Sequence, residues 1–257
     1  MSDPHSAPPA FDDPAGTWNR RFSEPGYLFG TEPNAWLHEH AALWEAGQRI
    51  LCVADGEGRN SVWLAQQGLI IDSFDISEVG VRKARDFARV TGVKVNFAVA
   101  DVAELQWPRA LYDGVVAIFI QFADPDLRAR IFDGMRRSLK PGGMLLIGEP
   151  YWRLDPPDEE TARACHAERR SDFRPLPDLI THFGDLGWDL VEMVLSNQDD
   201  WDRYSASHWL SVRRWLDANP DDELAPRMRA ELHAEPARYV RYRRELLGWG
   251  VFALLKR

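Results

Sequence analysis

From Arg49 onward the chain repeats one theme: a short apolar run, a turn, a helical pattern, then another short apolar run. The runs fall at residues 50–54, 69–74, 93–99, 115–119 and 144–148, with helical patterns at 60–67, 77–91 and 126–139 between them. Short runs that are apolar throughout suit strands covered on both faces, and a helix between consecutive runs supplies the crossover of a parallel pair. The rhythm therefore predicts a doubly wound α/β sheet. Ser77 is placed to N-cap the second helix, and Pro141-Gly142-Gly143 is placed to stop the third.

The rhythm is broken at both ends. Residues 1–17 are rich in Pro, Asp and Ala without a basic start or an apolar block, and read as a flexible tail rather than a signal peptide. Residues 152–177 read as a loop with a short helix near 159–170, residues 179–186 as a helix, 188–196 as a strand and 248–256 as a final strand. Between those last two strands, residues 198–247 carry two helical patterns that part at Asn219-Pro220. The expected organisation is a single domain over 18–257 in which 198–247 is a helical insertion.

Composition narrows the partners. With 257 residues, 45% of them apolar, the chain has material for one core. A net charge of −9 opposes a phosphate backbone, which disfavours nucleic acid. Cys52 and Cys165 show no metal-binding spacing, so the chain reads as reduced, cytoplasmic and free of structural metal. Its apolar stretches fall far short of the roughly 18 residues a spanning helix needs, so no membrane partner is expected.

Residues 50–65, ILCVADGEGRNSVWLA, run strand, Gly-x-Gly loop, helix. Gly56 and Gly58 let main chain approach a ligand, and the N–H groups opening the helix favour a carboxylate. Asp75 ends the second run, where an acidic side chain accepts both hydroxyls of a ribose. The same placing would serve a nicotinamide dinucleotide, but Glu57 would face its pyrophosphate and Ser61 replaces the third fingerprint glycine. S-adenosylmethionine carries a sulfonium cation and no phosphate, so it tolerates an acidic loop. Asp101, after the third run, adds an acceptor where an adenine amino group would lie.

Taken together, Gly56-Glu57-Gly58-Arg59-Asn60, Asp75-Ile76-Ser77 with Lys83-Ala84, Ala100-Asp101 and Leu139-Lys140-Pro141-Gly142-Gly143 resemble the class I S-adenosylmethionine-dependent methyltransferases, over about residues 18–148. With Tyr27-Leu28-Phe29-Gly30-Thr31-Glu32-Pro33-Asn34, the chain looks like the branch containing tellurite-resistance and thiopurine methyltransferases. The resemblance implies a Rossmann-like seven-stranded sheet with its last strand antiparallel, S-adenosylmethionine as cofactor, and in-line methyl transfer to a small-molecule acceptor. It assigns Gly56 and Gly58 to the methionine moiety, Asp75 to ribose and Asp101 to adenine. Ala54, Asp55, Asn60, Ile76, Val102 and Ile118 complete the implied cofactor shell. Two positions depart from the family pattern: Cys52 replaces the usual acid of the first strand and Ala54 the first glycine, so Asp55 or Glu57 would have to support affinity.

The candidate catalytic residues are Tyr27, Glu149 and Tyr151. Tyr27 and Phe29 belong to a segment that could fold over the cofactor and exclude water. Gln121 and Phe122 follow the fourth run at the ligand-bearing end of the sheet. Glu149, Tyr151 and Trp152 follow the fifth, and Glu149 reads either as a base that orients the acceptor or as a solvated loop carboxylate. Glu149-Pro150-Tyr151-Trp152 resembles the Asp/Asn-Pro-Pro-Tyr motif of methyltransferases that act on bases, but follows the wrong strand for it. In the insertion, Trp201, Tyr204, His208, Val212 and Trp215 share a face expected to pack, while Arg238, Arg241, Arg243 and Arg244 read as a solvated face paired with nearby acids, or as a source of one arginine for an anionic acceptor. Two other classes stay open: a nicotinamide oxidoreductase, opposed by Glu57 and the LKPGG turn, and a non-catalytic adenosyl-ligand-binding protein, favoured by Cys52 and Ala54. Oligomeric state leaves no signal in the sequence.

Overall fold

The computed structural model describes residues 13–39, 41–118 and 125–257. Gln121 and Phe122 lie outside the described residues. Seven strands form one sheet in the order β3-β2-β1-β4-β5-β7-β6: β1 (Arg49–Val53), β2 (Ile70–Asp75), β3 (Asn96–Val99), β4 (Tyr112–Ala117), β5 (Leu139–Trp152), β6 (Trp188–Leu195) and β7 (Leu247–Lys256). Strands β1 to β5 pair in parallel and the last strand is antiparallel. The helices α3 (Arg59–Gln66), α4 (Glu78–Thr91) and α5 (Pro125–Ser138) make the crossovers. Because β1 is flanked by β2 on one side and β4 on the other, strand order reverses at β1, and the crevice beyond its carboxyl end is the natural ligand position of such a sheet.

Local chemistry explains the main boundaries. Residues 50–53 of β1 are all buried, as a central parallel strand requires. Ser77 caps α4 as expected, its hydroxyl accepting from Gly80 N at 3.0 Å, and Gly92 ends the helix in the left-handed conformation at φ +77. Pro141-Gly142-Gly143 does not act as the helix stop, because α5 already ends at Ser138 and the three residues lie within β5. They instead accompany a register shift between Tyr112 and Gly114 of β4, and Gly142, at φ +71, supplies backbone freedom there.

The tail expectation needs correction from residue 13 onward. Residues 14–17 begin α1 (Pro14–Phe22), capped by Asp13, whose Oδ1 accepts from Gly16 N at 2.8 Å. Asp at the cap and Pro at the first helical position form a start signal, and Trp18 stacks on Phe22 one turn later at 5.3 Å. Among the described residues no helix is long and apolar enough to cross a membrane.

Within the expected 18–257 span the chain divides into two compact units. One runs up to Gly148 and takes in Phe183–Glu192 and Val251–Arg257; the other comprises Glu149–His182 and Met193–Gly250. In the first, a core that includes Trp36, Leu37, Ile50, Cys52, Leu64, Val116 and Leu146 surrounds the middle of the sheet. The second holds α6 (Glu159–Ala164), α8 (Gln198–Ala218), α9 (Ala225–Arg238), a π-helical turn (Tyr239–Arg243) and α10 (Arg244–Leu246). Its apolar cluster joins Trp152, Ala162, Cys165, Ala167 and Leu247, with Trp201 and Tyr242 against it.

The packing face expected on α8 is rotated. Tyr204 is 60% exposed and His208 is exposed, whereas Ser205 and Leu216 are buried. A polar side chain turns the face: Asp202 accepts from Tyr239 Oη at 2.7 Å and from Arg244 Nε and Nη2 at 2.9 and 3.1 Å. Counting apolar residues alone cannot see a face set by Asp and Ser.

Candidate functional site

The loop after β1 is shaped by three left-handed residues in alternation, Ala54 at φ +50, Gly56 at +61 and Gly58 at +84. Such alternation turns main-chain N–H groups toward one side, a concavity suited to an anionic group. Asp75, at the carboxyl end of β2, locks the loop: Oδ2 accepts from Gly56 N at 2.9 Å and Oδ1 from Ser77 N at 2.8 Å. One side chain thus joins the glycine loop to the start of α4. Burial raises the Asp75 carboxyl, and the two main-chain donors oppose the rise. Gly58 admits no side chain, since a Cβ there would lie 2.7 Å from Cβ of Ala84.

Asp55 accepts from Ser73 Oγ at 3.3 Å. Burial pushes its carboxyl up to about 6, with Asp75 adding to the rise and Ser61 and Ser73 opposing it. Ala100 N donates to the carbonyl of Asp75 at 3.0 Å, so the turn containing Asp101 is tied to the end of β2. Asp101 Oδ1 accepts from Ala103 N at 2.8 Å, and Val102 is buried beside it in sequence. Ile76 lies between Asp75 and the cap of α4, and Ile118 directly follows β4, the strand that pairs with β1. The first unit therefore gathers Ala54, Asp55, Gly56, Gly58, Asp75, Ile76, Asp101, Val102 and Ile118 at or beside the carboxyl ends of β1 to β4.

Glu57 is buried and spoken for. Its Oε1 takes Lys83 Nζ at 2.7 Å and its Oε2 takes Leu28 N at 2.6 Å, while the same ammonium donates to the carbonyls of Glu24 and Gly26 at 2.9 and 2.6 Å. Arg59 donates to Phe29 O at 3.1 Å, and Asn60 Oδ1 accepts from Asn34 N at 2.9 Å. The segment from Gly26 to Asn34 is thereby strapped onto the glycine loop. Its Tyr27 ring packs on Phe87 of α4 at 5.5 Å, and burial, then Glu57 and Asp86, raise its hydroxyl pKa. Leu28 and Phe29 stand exposed on the strap.

Sequence reading missed α1 as part of the site. Asn19 Oδ1 accepts from Ser77 Oγ at 2.7 Å and Val79 N at 3.2 Å, and Phe22 fills the space that Gly56 and Gly80 leave open. The Asp13-Pro14 start and the Trp18/Phe22 spacing were the available signals. Cys52 belongs to the core cluster, where burial raises its thiol well above the usual value, so it is a packing residue.

Glu149 and Tyr151 lie in the second unit, on β5 rather than on a loop. Glu149 is 7% exposed, which removes the solvated-carboxylate reading. Tyr151 is buried with its ring against Gly248, where a Cβ would come within 2.3 Å of it. Among the described residues no three His, Cys, Asp or Glu side chains are grouped to hold a metal ion.

The chain is 44% identical over 218 residues to the uncharacterized protein YjhP of Escherichia coli (strain K12), covering 82% of this chain and 86% of that one. Residues 50–143 match a family model described as a methyltransferase domain. An S-adenosylmethionine-dependent methyltransferase from Geobacter sulfurreducens, solved with S-adenosyl-L-homocysteine, superposes with a TM-score of 0.77 at 39% identity, over 94% of this chain and 98% of that one. The chain belongs to the S-adenosylmethionine-dependent methyltransferases. Another member, from Thiobacillus denitrificans and also solved with S-adenosyl-L-homocysteine, matches at 38% identity and a TM-score of 0.76, over 94% and 98% of the two chains. Membership of this methyltransferase family sets aside the nicotinamide oxidoreductase. It also gives the departure at Ala54 a simple meaning, because alanine there holds the left-handed backbone a glycine would hold.

Proposed function

We propose that the chain binds S-adenosylmethionine at the carboxyl ends of β1 to β3 and transfers its methyl group to a small-molecule acceptor by in-line displacement. The observation that carries this reading is the Asp75 clamp, which fixes the glycine loop and the start of α4 in one geometry. The residues present suit the cofactor. Each Asp75 oxygen that accepts one main-chain N–H retains a lone pair for a ribose hydroxyl. The concave loop suits the methionine carboxylate, Asp101 suits the adenine amine, and the cation Lys83 is already held by Glu57. When bound, S-adenosylmethionine supplies an electrophilic methyl on a sulfonium. The strap's part is to exclude water through Leu28 and Phe29, since displacement in a dry, positioned site needs no strong base when the acceptor is a soft anion. Tyr27 shapes the strap from its seat on α4.

Glu149 is proposed to orient the acceptor or take its proton, and Tyr151 to hold β5 in place. Kinship with the tellurite-resistance and thiopurine branch rests on the Tyr27–Asn34 and GEGRN phrases, and makes thiols the first acceptors to try. Two buried thiols outside any disulfide accord with a reducing, cytoplasmic setting. Calorimetry with S-adenosyl-L-homocysteine tests the cofactor site: micromolar binding, weakened at least a hundredfold in Asp75→Ala, is expected. Unchanged affinity in that variant would refute the clamp's role. Turnover against thiols, amines and phenols then tests the acceptor, and binding without any turnover would favour an adenosyl-ligand-binding protein.

A further inference from the structure

In the helical unit the polar chemistry converges on Glu235, which is 7% exposed. Arg243 Nη2 reaches its Oε1 at 2.9 Å, His166 Nε2 the same oxygen at 3.3 Å, and Arg238 Nε its Oε2 at 3.3 Å. Against the rise that burial imposes, these three groups hold the carboxyl below its usual value. Arg238 is shared with Glu231 at 3.0 Å, so Arg243 and His166 have Glu235 as their acidic partner.

Three features go beyond an internal ion pair. Arg243 Nε, Trp209 Nε1 and Trp201 Nε1 are buried donors with no hydrogen-bond partner among the described residues. They belong to one neighbourhood: the Arg243 guanidinium sits 5.4 Å from the centroid of the Tyr239 ring, and Trp209 meets that ring edge-on at 5.6 Å. Trp201 shares an apolar cluster with Cys165, whose thiol feels Arg243. Next, His166 holds φ +66 just past the end of α6, a place where glycine is cheaper, so the strain is carried for the sake of an imidazole. Finally, Arg243 closes a π-helical turn, a widened geometry that recurs at functional sites. Buried donors without acceptors are costly, and a ligand that supplies acceptor oxygens removes the cost.

We propose that Arg243 and His166, with Trp209 behind them, form a binding site for the oxyanion group of a small molecule, with Glu235 as the internal carboxylate that holds the site open until the ligand competes for it. The site stands within the helical unit, and the ligand it fits is a carboxylate or a phosphate ester, which goes beyond the methyl-transfer reading. Arginine suits either group, because its planar fork meets two oxygens at once.

The test uses the full chain labelled with 15N, following the Arg243 Nε–H and Trp209 indole resonances during separate titrations with inorganic phosphate and acetate. Saturable shifts with at least one anion are expected, and the anion that saturates identifies the oxyanion. Arg243→Lys should weaken binding roughly tenfold, since one charge-assisted hydrogen bond is lost. Glu235→Gln should tighten it, because the competing carboxylate is gone; a purely structural cluster would show no gain. His166→Gln is the milder second variant and should weaken binding without unfolding the chain. No saturable shift, equal binding by Arg243→Lys, or weaker binding by Glu235→Gln each overturns the site. Titration of S-adenosyl-L-homocysteine into the same samples separates the two readings: cofactor binding without anion binding sinks this site alone, and anion binding without cofactor binding sinks the cofactor reading while leaving this site.

Discussion

The two units solve the problem of buried polarity in opposite ways. At the glycine loop the polar groups are met one by one: Gly56 and Ser77 by Asp75, Leu28 and Lys83 by Glu57, Asn34 by Asn60. In the helical unit the acid at the centre draws several cations while nearby indole and guanidinium donors stay unmet. A frame whose own polar groups are satisfied can be rigid before its ligand arrives. A region that keeps unmet donors has its energy lowered by whatever binds there. The first arrangement suits a constant cofactor, and the second suits the variable partner.

The contrast can be broken most forcefully at Lys83. Replacing it with Met strands the buried Glu57 carboxylate and frees the strap, so destabilisation of about 3 kcal/mol is expected in urea unfolding, together with faster exchange of the Leu28 amide. A loss below about 1 kcal/mol would mean that water reaches Glu57 and the strap is not latched. Gly58→Ala comes next. It sets a Cβ against Ala84 at a backbone angle alanine resists, for a loss of about 2 kcal/mol and with it much of the cofactor affinity.

Asp55 gives a pH test. Its carboxyl binds a proton more tightly folded, at about 6, than unfolded. Its contribution is therefore fully present below about pH 4 and lost as pH rises through about 6, on the order of 3 kcal/mol. Acids held low, such as Asp113, act in the opposite sense and only at lower pH. The Tm of Asp55→Asn should rise relative to the parent chain between pH 5 and pH 7, and parallel Tm curves would contradict the assignment.

The smallest effects form a matched pair across the two units. Ala54→Gly and His166→Gly each relieve a left-handed non-glycine residue, so each should stabilise by roughly 0.5–1 kcal/mol by thermal unfolding. Only the second should remove an oxyanion contact. Stabilisation at neither position would show that the strain is absorbed by the surrounding chain.

Legibility in the sequence follows the range of the interactions. Ser77 capping α4, the glycine loop after β1 and the break between α8 and α9 are local events governed by a few consecutive residues, and each stands where the patterning indicated. The start of α1 was equally local but was overlooked, because a Pro- and Asp-rich opening also resembles a tail. The face of α8 was not local, because it depends on Asp202 finding Tyr239 and Arg244 far along the chain, and the inward turn of Arg243 depends on Glu235 across the π-helical turn.

The sequence by itself determined the parallel pairing of the first five strands and the glycine turn after the first of them, since strand periodicity and glycine backbone freedom act over a few residues. Tertiary structure alone decided that Glu57 serves a strap, that Cys52 is core, and that one arginine of a charged run lies half-buried against an acid. Those outcomes turn on which side chains meet after the chain has folded, and desolvation fixes the energy of a charge only once its neighbours are in place.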